Sequence, residues 1–469
     1  MADQHQRLGF AAAATGARAR SLLCLAALYP VAVASVGAIA ARPIADDYSF
    51  LASATDGLIG GFTRWMTEWT GYYSFSWLQN AGAWVSTPGT VNIVFPAMSL
   101  ALLGLLTWSL RQCVLALNSV RAFELPVWPA TAVLTAGALG SLTLLGDPDP
   151  GVLFGALYWQ SLWLGHLVPL LLLPFALRLL HPRAARTRKA NEVLGLLAGF
   201  VLAGFAFSLT GIIGAAVVAC LMGSVLLHGQ RPPARVIRTA GALLAGLTTG
   251  TAVAFLMPGT GRRREVLAEQ RPHELSVEVF WRSVNDVGYK ALVESPSLIL
   301  GLGTGLLLVW GLGGDSRRRT IDVLAVCSTL VVVAAIISIG VGAAVSYPAW
   351  WHLLPLLLIT YLAATMLGAA LATRWRPAFG AEAIAGLVAL IVIAFASMEV
   401  HDAAAAAWER QRVFDTNLPL QHGRWTAQPV GEIADLKPGA SDWVTQAAAE
   451  WLGKQPHELR VRELPILYP

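Results

Sequence analysis

Charge is what this sequence has least of. Only 13% of its 469 residues are Asp, Glu, Lys or Arg, where a soluble chain carries about 25%. Lysine supplies just four of the 33 basic residues, a bias of the kind a GC-rich genome leaves. The four cysteines, Cys24, Cys113, Cys220 and Cys327, form no CxxC pair and all fall in apolar blocks. They read as small buried hydrophobes, so neither a disulfide framework nor a zinc site is expected. No GxxxxGKS/T, GxSxG or HExxH occurs, and no GxGxxG follows a strand-like run, which argues against a nucleotide-hydrolysing pump. No acid or base stands in the middle of an apolar block, which argues against an ion-coupled transporter. These absences exclude a soluble enzyme, a disordered chain and a secreted disulfide-rich domain. What is present is apolar: 56% hydrophobic residues and a mean hydropathy of +0.59.

The apolar residues come in blocks of about 20, the length that crosses a bilayer. Eleven are expected to span, near 21–41, 91–110, 126–146, 161–180, 192–209, 211–228, 240–257, 294–313, 321–345, 353–372 and 378–398. The stretch 192–228 is too long for one helix, and Ser208-Leu-Thr-Gly211 is the expected reversal. Ala38-Ile39-Ala40 resembles a signal cleavage site, but the apolar run before it exceeds a signal h-region, so an uncleaved helix is expected. With the N-terminus inside, six cytoplasmic segments hold 18 basic and six acidic residues, a net +12, and the outer segments carry −7. That asymmetry predicts an N-in, C-out topology for a multi-pass membrane protein. The overall charge of +5 is then a topogenic signal and implies no nucleic-acid partner. The fold class expected is an all-α polytopic membrane protein with about eleven transmembrane helices. A membrane domain covers 1–398, with outer loops at 42–90 and 258–293, and a small extracytoplasmic segment covers 399–469.

Chemistry is therefore expected on the outer face. Arg42-Pro-Ile-Ala-Asp-Asp-Tyr48 places two adjacent carboxylates, Asp46 and Asp47, just beyond the first span. Two readings stand side by side: a solvated helix N-cap, or a general base, or a metal- or hydroxyl-binding pair, at the mouth of a membrane cavity. Phe50, Leu51, Ala54, Leu58, Phe62, Trp65, Met66 and Trp69 recur at helical spacing, predicting an amphipathic helix in the interface plane over 50–69. Pro258-Gly-Thr-Gly-Arg-Arg-Arg264 puts three arginines on the side where the charge rule disfavours them. Nearby glutamates would make this an ordinary charged surface, whereas the guanidinium forks beside glycines suit a phosphate. Tyr158, Trp159 and His166, with Trp351 and His352, mark outer helix ends. Each alone is an interfacial anchor, and together they suggest a polar and aromatic cavity that would suit a sugar ring. Asp147-Pro-Asp-Pro150 reads as a turn.

An Asp-Asp pair opening the first outer loop before an interfacial helix resembles the GT-C superfamily of membrane glycosyltransferases. Pro43-Ile-Ala-Asp-Asp-Tyr-Ser-Phe50 looks like the PxADDYxF signature of bacterial members related to O-antigen glucosyltransferase-like proteins. Trp69-Thr-Gly-Tyr-Tyr-Ser74 is similar to their W-S-G-R-F-S pattern, Pro258-Gly-Thr-Gly-Arg-Arg263 to their P-G-N-x-x-R, and Asp442-Trp-Val-Thr445 to a recurrent W-V-N segment. Tyr72 stands where the pattern has Arg, and Thr260 where it has Asn, so Arg64 or Arg262, Arg263 and Arg264 would carry the phosphate instead. The resemblance implies transfer of a sugar from a polyprenyl-phosphate donor to an extracytoplasmic glycan or glycolipid acceptor, with inversion. One carboxylate of Asp46 and Asp47, Asp46 first, would be the general base. The other would orient the acceptor or a divalent cation, magnesium or manganese. Tyr48, Trp69, Tyr72, Tyr158, Trp159, His166, Trp351 and His352 would line the cavity, and the 50–69 helix would guide the prenyl chain. The competing expectation is a flippase or transporter for lipid-linked sugar or polysaccharide, binding the same ligand without chemistry.

Overall fold

The computed structural model describes residues 2–43, 46–87, 89–145, 151–180, 188–270, 276–312, 317–345, 353–375, 380–417 and short stretches between 420 and 463. The chain opens with α1 (Ala2–Ile39) and then forms a group of short helices, α2 (Asp46–Ser53), α3 (Gly57–Glu68) and α4 (Tyr73–Val85). Next come α5 (Val91–Ser119), α6 (Val127–Ser141), α7 (Gly151–Tyr158), α8 (Gln160–His166) and α9 (Val168–Leu177). The middle holds α10 (Arg188–Ala203), α11 (Phe207–His228), α12 (Ala234–Leu256), α13 (Pro258–Gln270) and α14 (Val277–Tyr289). It closes with α15 (Ser297–Leu307), α16 (Arg318–Val345), α17 (Leu354–Arg374) and α18 (Ala381–Asn417). Four short strands follow, Leu420–Gln421 antiparallel to Arg424–Trp425, and Glu432–Asp435 parallel to Arg460–Glu463.

Among the described residues, eight helices are long and apolar enough to cross a membrane, or nine if α14 and α15, bent by 48°, act as one broken span. The chain is thus an all-α polytopic membrane protein in its main body. The blocks at 126–146 and 192–209 are helical, but α6 has 15 residues and α10 has 16. At 1.5 Å per residue these reach about 22–24 Å, short of a hydrocarbon core of about 30 Å. For α6 the shortfall is sheltered, because every residue from Ala130 to Ser141 is buried. Tyr361 of α17 crosses to it and donates its hydroxyl to the Leu134 carbonyl at 3.1 Å.

Close helix crossings run over glycines, as in membranes where small residues let backbones touch. A Cβ on Gly199 of α10 would strike the Leu243 carbonyl of α12, and one on Gly246 of α12 would strike the Leu196 carbonyl of α10. Gly301 and Gly305 of α15 serve α17 in the same way. All four cysteines are free, and Cys220 faces outward from α11 while Cys327 is buried.

Helix ends sort into two groups. At one end, Arg178 donates to Gln112 (3.1 Å), the Arg317 amide to Ala122 (3.2 Å) and Arg319 to the Leu226 carbonyl (3.1 Å), and Arg374 pairs with Asp322 (3.0 Å). These are the segments expected on the cytoplasmic side. At the other end, the Leu145 amide bonds the Glu294 carbonyl at 2.5 Å and Arg64 pairs with Glu450 at 3.0 Å.

Two local expectations are corrected. The reversal within 192–228 lies at Gly204-Phe205-Ala206, and Ser208–Gly211 belong to α11. The interfacial helix is not one piece: a 3-10 turn at Ala54–Asp56 and Gly57, at φ +81°, break it into α2 and α3. Much of its apolar stripe faces protein, since Phe50, Leu51 and Met66 are buried and Phe50 stacks on Trp65 with ring centroids 3.8 Å apart.

Candidate functional site

The first turn of α2 carries the aspartate pair. The backbone of Asp46 starts the helix, and its side chain lies outside the described residues. Asp47 is fully buried, and its Oδ1 is heavily engaged. It accepts the Ser161 amide (2.9 Å), the Ser161 hydroxyl and Nε2 of Gln79 (3.2 Å). Gln79 Nε2 also donates to Ser161 Oγ at 2.9 Å. Ser161 is the second residue of α8, and the Trp159 side chain at its N-cap makes no cap hydrogen bond. Asp47 therefore supplies from a distant segment the acceptor that an N-cap side chain normally provides. The N-cap reading of the pair and the buried-polar reading meet in one residue: Asp47 caps, but it caps α8 and is dry.

Gln79 comes from α4, whose N-terminus is stitched to the break after α10. The Gly204 carbonyl, released by that break, accepts the Ser74 (2.9 Å) and Phe75 (3.2 Å) amides. The Ser74 hydroxyl donates to Val201 (2.7 Å) and the Tyr73 hydroxyl to Phe200 (2.5 Å), both backbone carbonyls. Burial pushes the Tyr73 phenol up to about 12. Unpaired helix-end groups of two elements thus satisfy each other, and this decides where the apolar stretch breaks.

The residues just before α4 meet the arginine motif. A Cβ on Gly259 would lie 2.6 Å from the Thr70 amide nitrogen, 2.8 Å from the Met66 carbonyl and 2.9 Å from the Trp69 nitrogen. Thr260 is buried and donates to the Ala254 carbonyl at 2.7 Å, which fixes the corner between α12 and α13. The guanidinium of Arg263 then sits over the rings of Trp69 (5.7 Å) and Tyr72 (5.8 Å), a cation–π arrangement that orients the fork without neutralising it. Arg262 is exposed beside it, and the Arg264 side chain lies outside the described residues.

Arg64, expected with the phosphate group, has a different setting. It lies 3.8 Å from Asp56, 3.5 Å from Glu68 and 3.0 Å from Glu450. The hydrogen bond to Glu450 leads the effects that raise its pKa, and three carboxylates around one guanidinium make a poor place for an anion. Its partners are carboxylates, where those of Arg263 are aromatic rings.

Tyr48 is buried with its ring 6.2 Å from that of Trp451, so the tail reaches the aspartate loop. Tyr158 is buried and donates to the Ala34 carbonyl at 3.2 Å, a packing role that leaves its hydroxyl occupied. Trp159 is buried at the junction of α7 and α8, His166 is half-buried at the far end of α8, and Trp69 is 39% exposed. Trp351, His352 and the 442–445 motif lie outside the described residues.

Two features carry no signal in the sequence. Gln79 and Ser161 are single polar residues in aromatic and apolar stretches, without a recurrent spacing. The second is a groove of about 490 Å³ between α11 and α12, lined by Thr210, Thr248, Thr251, Ala252, Phe255 and Leu256. Thr248 and Thr251 donate to carbonyls of Leu244 (3.0 Å) and Leu247 (2.8 Å), which turns their hydroxyls inward along the helix. At the groove's end Phe255 lies 6.2 Å from Phe207, and Phe207 lies 4.9 Å from Tyr72, the residue under Arg263. Among the described residues no three His, Cys, Asp or Glu side chains converge as on a metal ion. No protein-family model, curated protein or solved structure matches this chain.

Proposed function

We propose that this protein is a membrane glycosyltransferase of the GT-C kind, moving a sugar from a polyprenyl-phosphate donor to a glycan or glycolipid acceptor on the extracytoplasmic side. One observation carries the reading: the motifs at 69–74 and 258–263 pack as one unit that presents Arg263 on aromatic rings, and α4 runs from that unit to the buried aspartate loop. Tyr72 and Gln79 are seven residues apart, about 10 Å along a helix. A phosphate site and a carboxylate site at that separation suit a sugar bridging the two.

The end of the bundle with the net-negative loops faces outward by the charge asymmetry, in the plasma membrane of a bacterium. Arg263 and Arg262, with Arg264, would hold the lipid phosphate. The groove between α11 and α12 would take the first part of the prenyl chain, a role the sequence reading gave to the 50–69 helix. In the transfer, an acceptor hydroxyl attacks the anomeric carbon from the face opposite the phosphate. Its proton passes to a carboxylate of the Asp46/Asp47 pair, the new C–O bond forms, and the old bond's electron pair leaves with the phosphate oxygen. Charge grows on that oxygen as the bond breaks, and fixed guanidinium groups stabilise it more in the transition state than before. Asp47 is poorly placed to hold a divalent cation. Oδ1 of Asp47 already accepts three donors, and no acidic or histidine cluster stands beside it among the described residues.

The test is sugar release from radiolabelled polyprenyl-phosphate sugars by purified protein, wild type against Asp46→Asn and Asp47→Asn. Turnover in the wild type, lost in Asp46→Asn with donor binding kept, supports the enzyme. Donor translocation across vesicles without sugar release, tolerant of Asp46→Asn, would favour the flippase reading.

A further inference from the structure

The two aspartates are one residue apart, yet the contacts of Asp47 are those of a structural anchor. Its carboxylate is fully buried, and Oδ1, with two lone pairs, accepts three donors. One donor is the backbone amide at the start of α8, so moving Asp47 toward a substrate would uncap that helix. The donors that hold it are peculiar in turn. Gln79 uses its amide nitrogen on both Asp47 and Ser161, while its own Oε1 is buried and has no hydrogen-bond partner among the described residues. On the same helix, Ser76 Oγ and Asn80 Oδ1 share that condition. Leaving a buried carbonyl oxygen unpaired is destabilising. Gln79 is kept at that cost, and what its amide nitrogen holds in place is the carboxylate of Asp47.

We propose that Gln79 and Ser161 are positioning residues for the transfer, that Asp47 is the anchor they hold, and that Asp46 is the base. This rests on the glycosyltransferase reading and deepens it. By fixing Asp47 they fix the first turn of α2, and with it the backbone on which Asp46 stands. Because Gln79 belongs to α4, whose N-terminal approach carries Trp69 and Tyr72 under Arg263, a single rigid helix sets the spacing between the leaving phosphate and the base. Loss of the Gln79 or Ser161 donors leaves donor binding intact and degrades alignment, and rates are lost steeply when reacting groups are misplaced by about 1 Å.

The experiment measures kcat, donor KM and the Kd of polyprenyl monophosphate for wild type, Gln79→Leu, Ser161→Ala and Ser161→Thr. Misplacement of reacting groups by about 1 Å costs about a hundredfold in rate, so Gln79→Leu and Ser161→Ala are expected to lower kcat about ten- to hundredfold. Their donor KM and phosphate Kd stay within twofold, and Ser161→Thr, which keeps the hydroxyl, recovers most of the rate. The retained Kd also reports that the variants fold. A wild type that consumes no donor overturns the glycosyltransferase reading and this proposal with it. An active wild type matched by Gln79→Leu overturns the positioning role alone, as does a KM that rises in step with the fall in kcat. Full turnover in Asp46→Asn, with none in Asp47→Asn, overturns the division of roles.

Discussion

Gly259 offers a sharp test of the geometry, because its neighbour in the motif supplies an internal control. In Gly259→Ala the new Cβ would stand 2.6–2.9 Å from three backbone atoms of the turn ending α3, where ordinary contact begins at 3.4 Å. Backbone atoms cannot rotate aside, so α13 must back away from α3 by roughly 0.5–1 Å. Overpacking of this kind costs about 1–3 kcal/mol. The displacement also lifts Arg263 from Trp69 and Tyr72. If about 2 kcal/mol falls on the phosphate site, affinity for polyprenyl monophosphate drops about thirtyfold. Gly261→Ala, two residues on, meets nothing within 4 Å and should bind as the wild type does. The assay is ligand binding to detergent-solubilised protein, with thermal unfolding followed in parallel. Equal affinity in the Gly259 and Gly261 variants, with equal melting temperatures, would refute the claim that the two motifs form one site.

Further outcomes follow from the same contacts. Arg263→Ala should weaken phosphate binding at least tenfold, and Arg263→Lys should restore it only in part, because an ammonium cannot reproduce a stacked planar fork; titration with the lipid phosphate measures both. Arg64→Ala should leave that affinity within twofold, and a double-mutant cycle with Glu450→Ala should give a coupling of about 0.2–1 kcal/mol, as for exposed pairs. Ala252→Trp, which fills the groove between α11 and α12, should weaken binding of a long-chain polyprenyl phosphate while leaving a short-chain analogue unaffected. Equal loss for both chain lengths would place the lipid elsewhere.

The sequence pattern revealed the helices well because apolar length is a local property. Each of the eleven expected blocks is helical over most of its described residues, although α6 and α10 are too short to meet the spanning length and the block at 294–313 meets it only as a bent pair with α14. What composition could not reveal was decided by contacts between distant segments. The break at Gly204 is set where Ser74 and Phe75 need a carbonyl, and nothing between 192 and 228 records that need. The aspartate pair and the arginine motif stood out because charge is conspicuous among apolar residues. Gln79 and Ser161 did not, since an amide and a hydroxyl in a helix carry no periodic signature. The apolar stripe of 50–69 predicts a helix in the interface plane, and a stripe looks the same whether lipid or protein covers it. Phe50 on Trp65 shows how much of it protein claims.

The contact between Arg64 and Glu450 joins residues 386 positions apart, and beside it Trp451 packs on Tyr48 next to the aspartates. Synthesis proceeds from the N-terminus at about 5–20 residues per second, so the aspartate loop exists for roughly 20–80 s before its partner has been made. During that interval the loop is exposed without its cover. The aspartate loop is therefore covered only after the helices through Asn417 have been made, and a chain cut between residues 420 and 450 would have those helices complete and that loop without Trp451 over Tyr48.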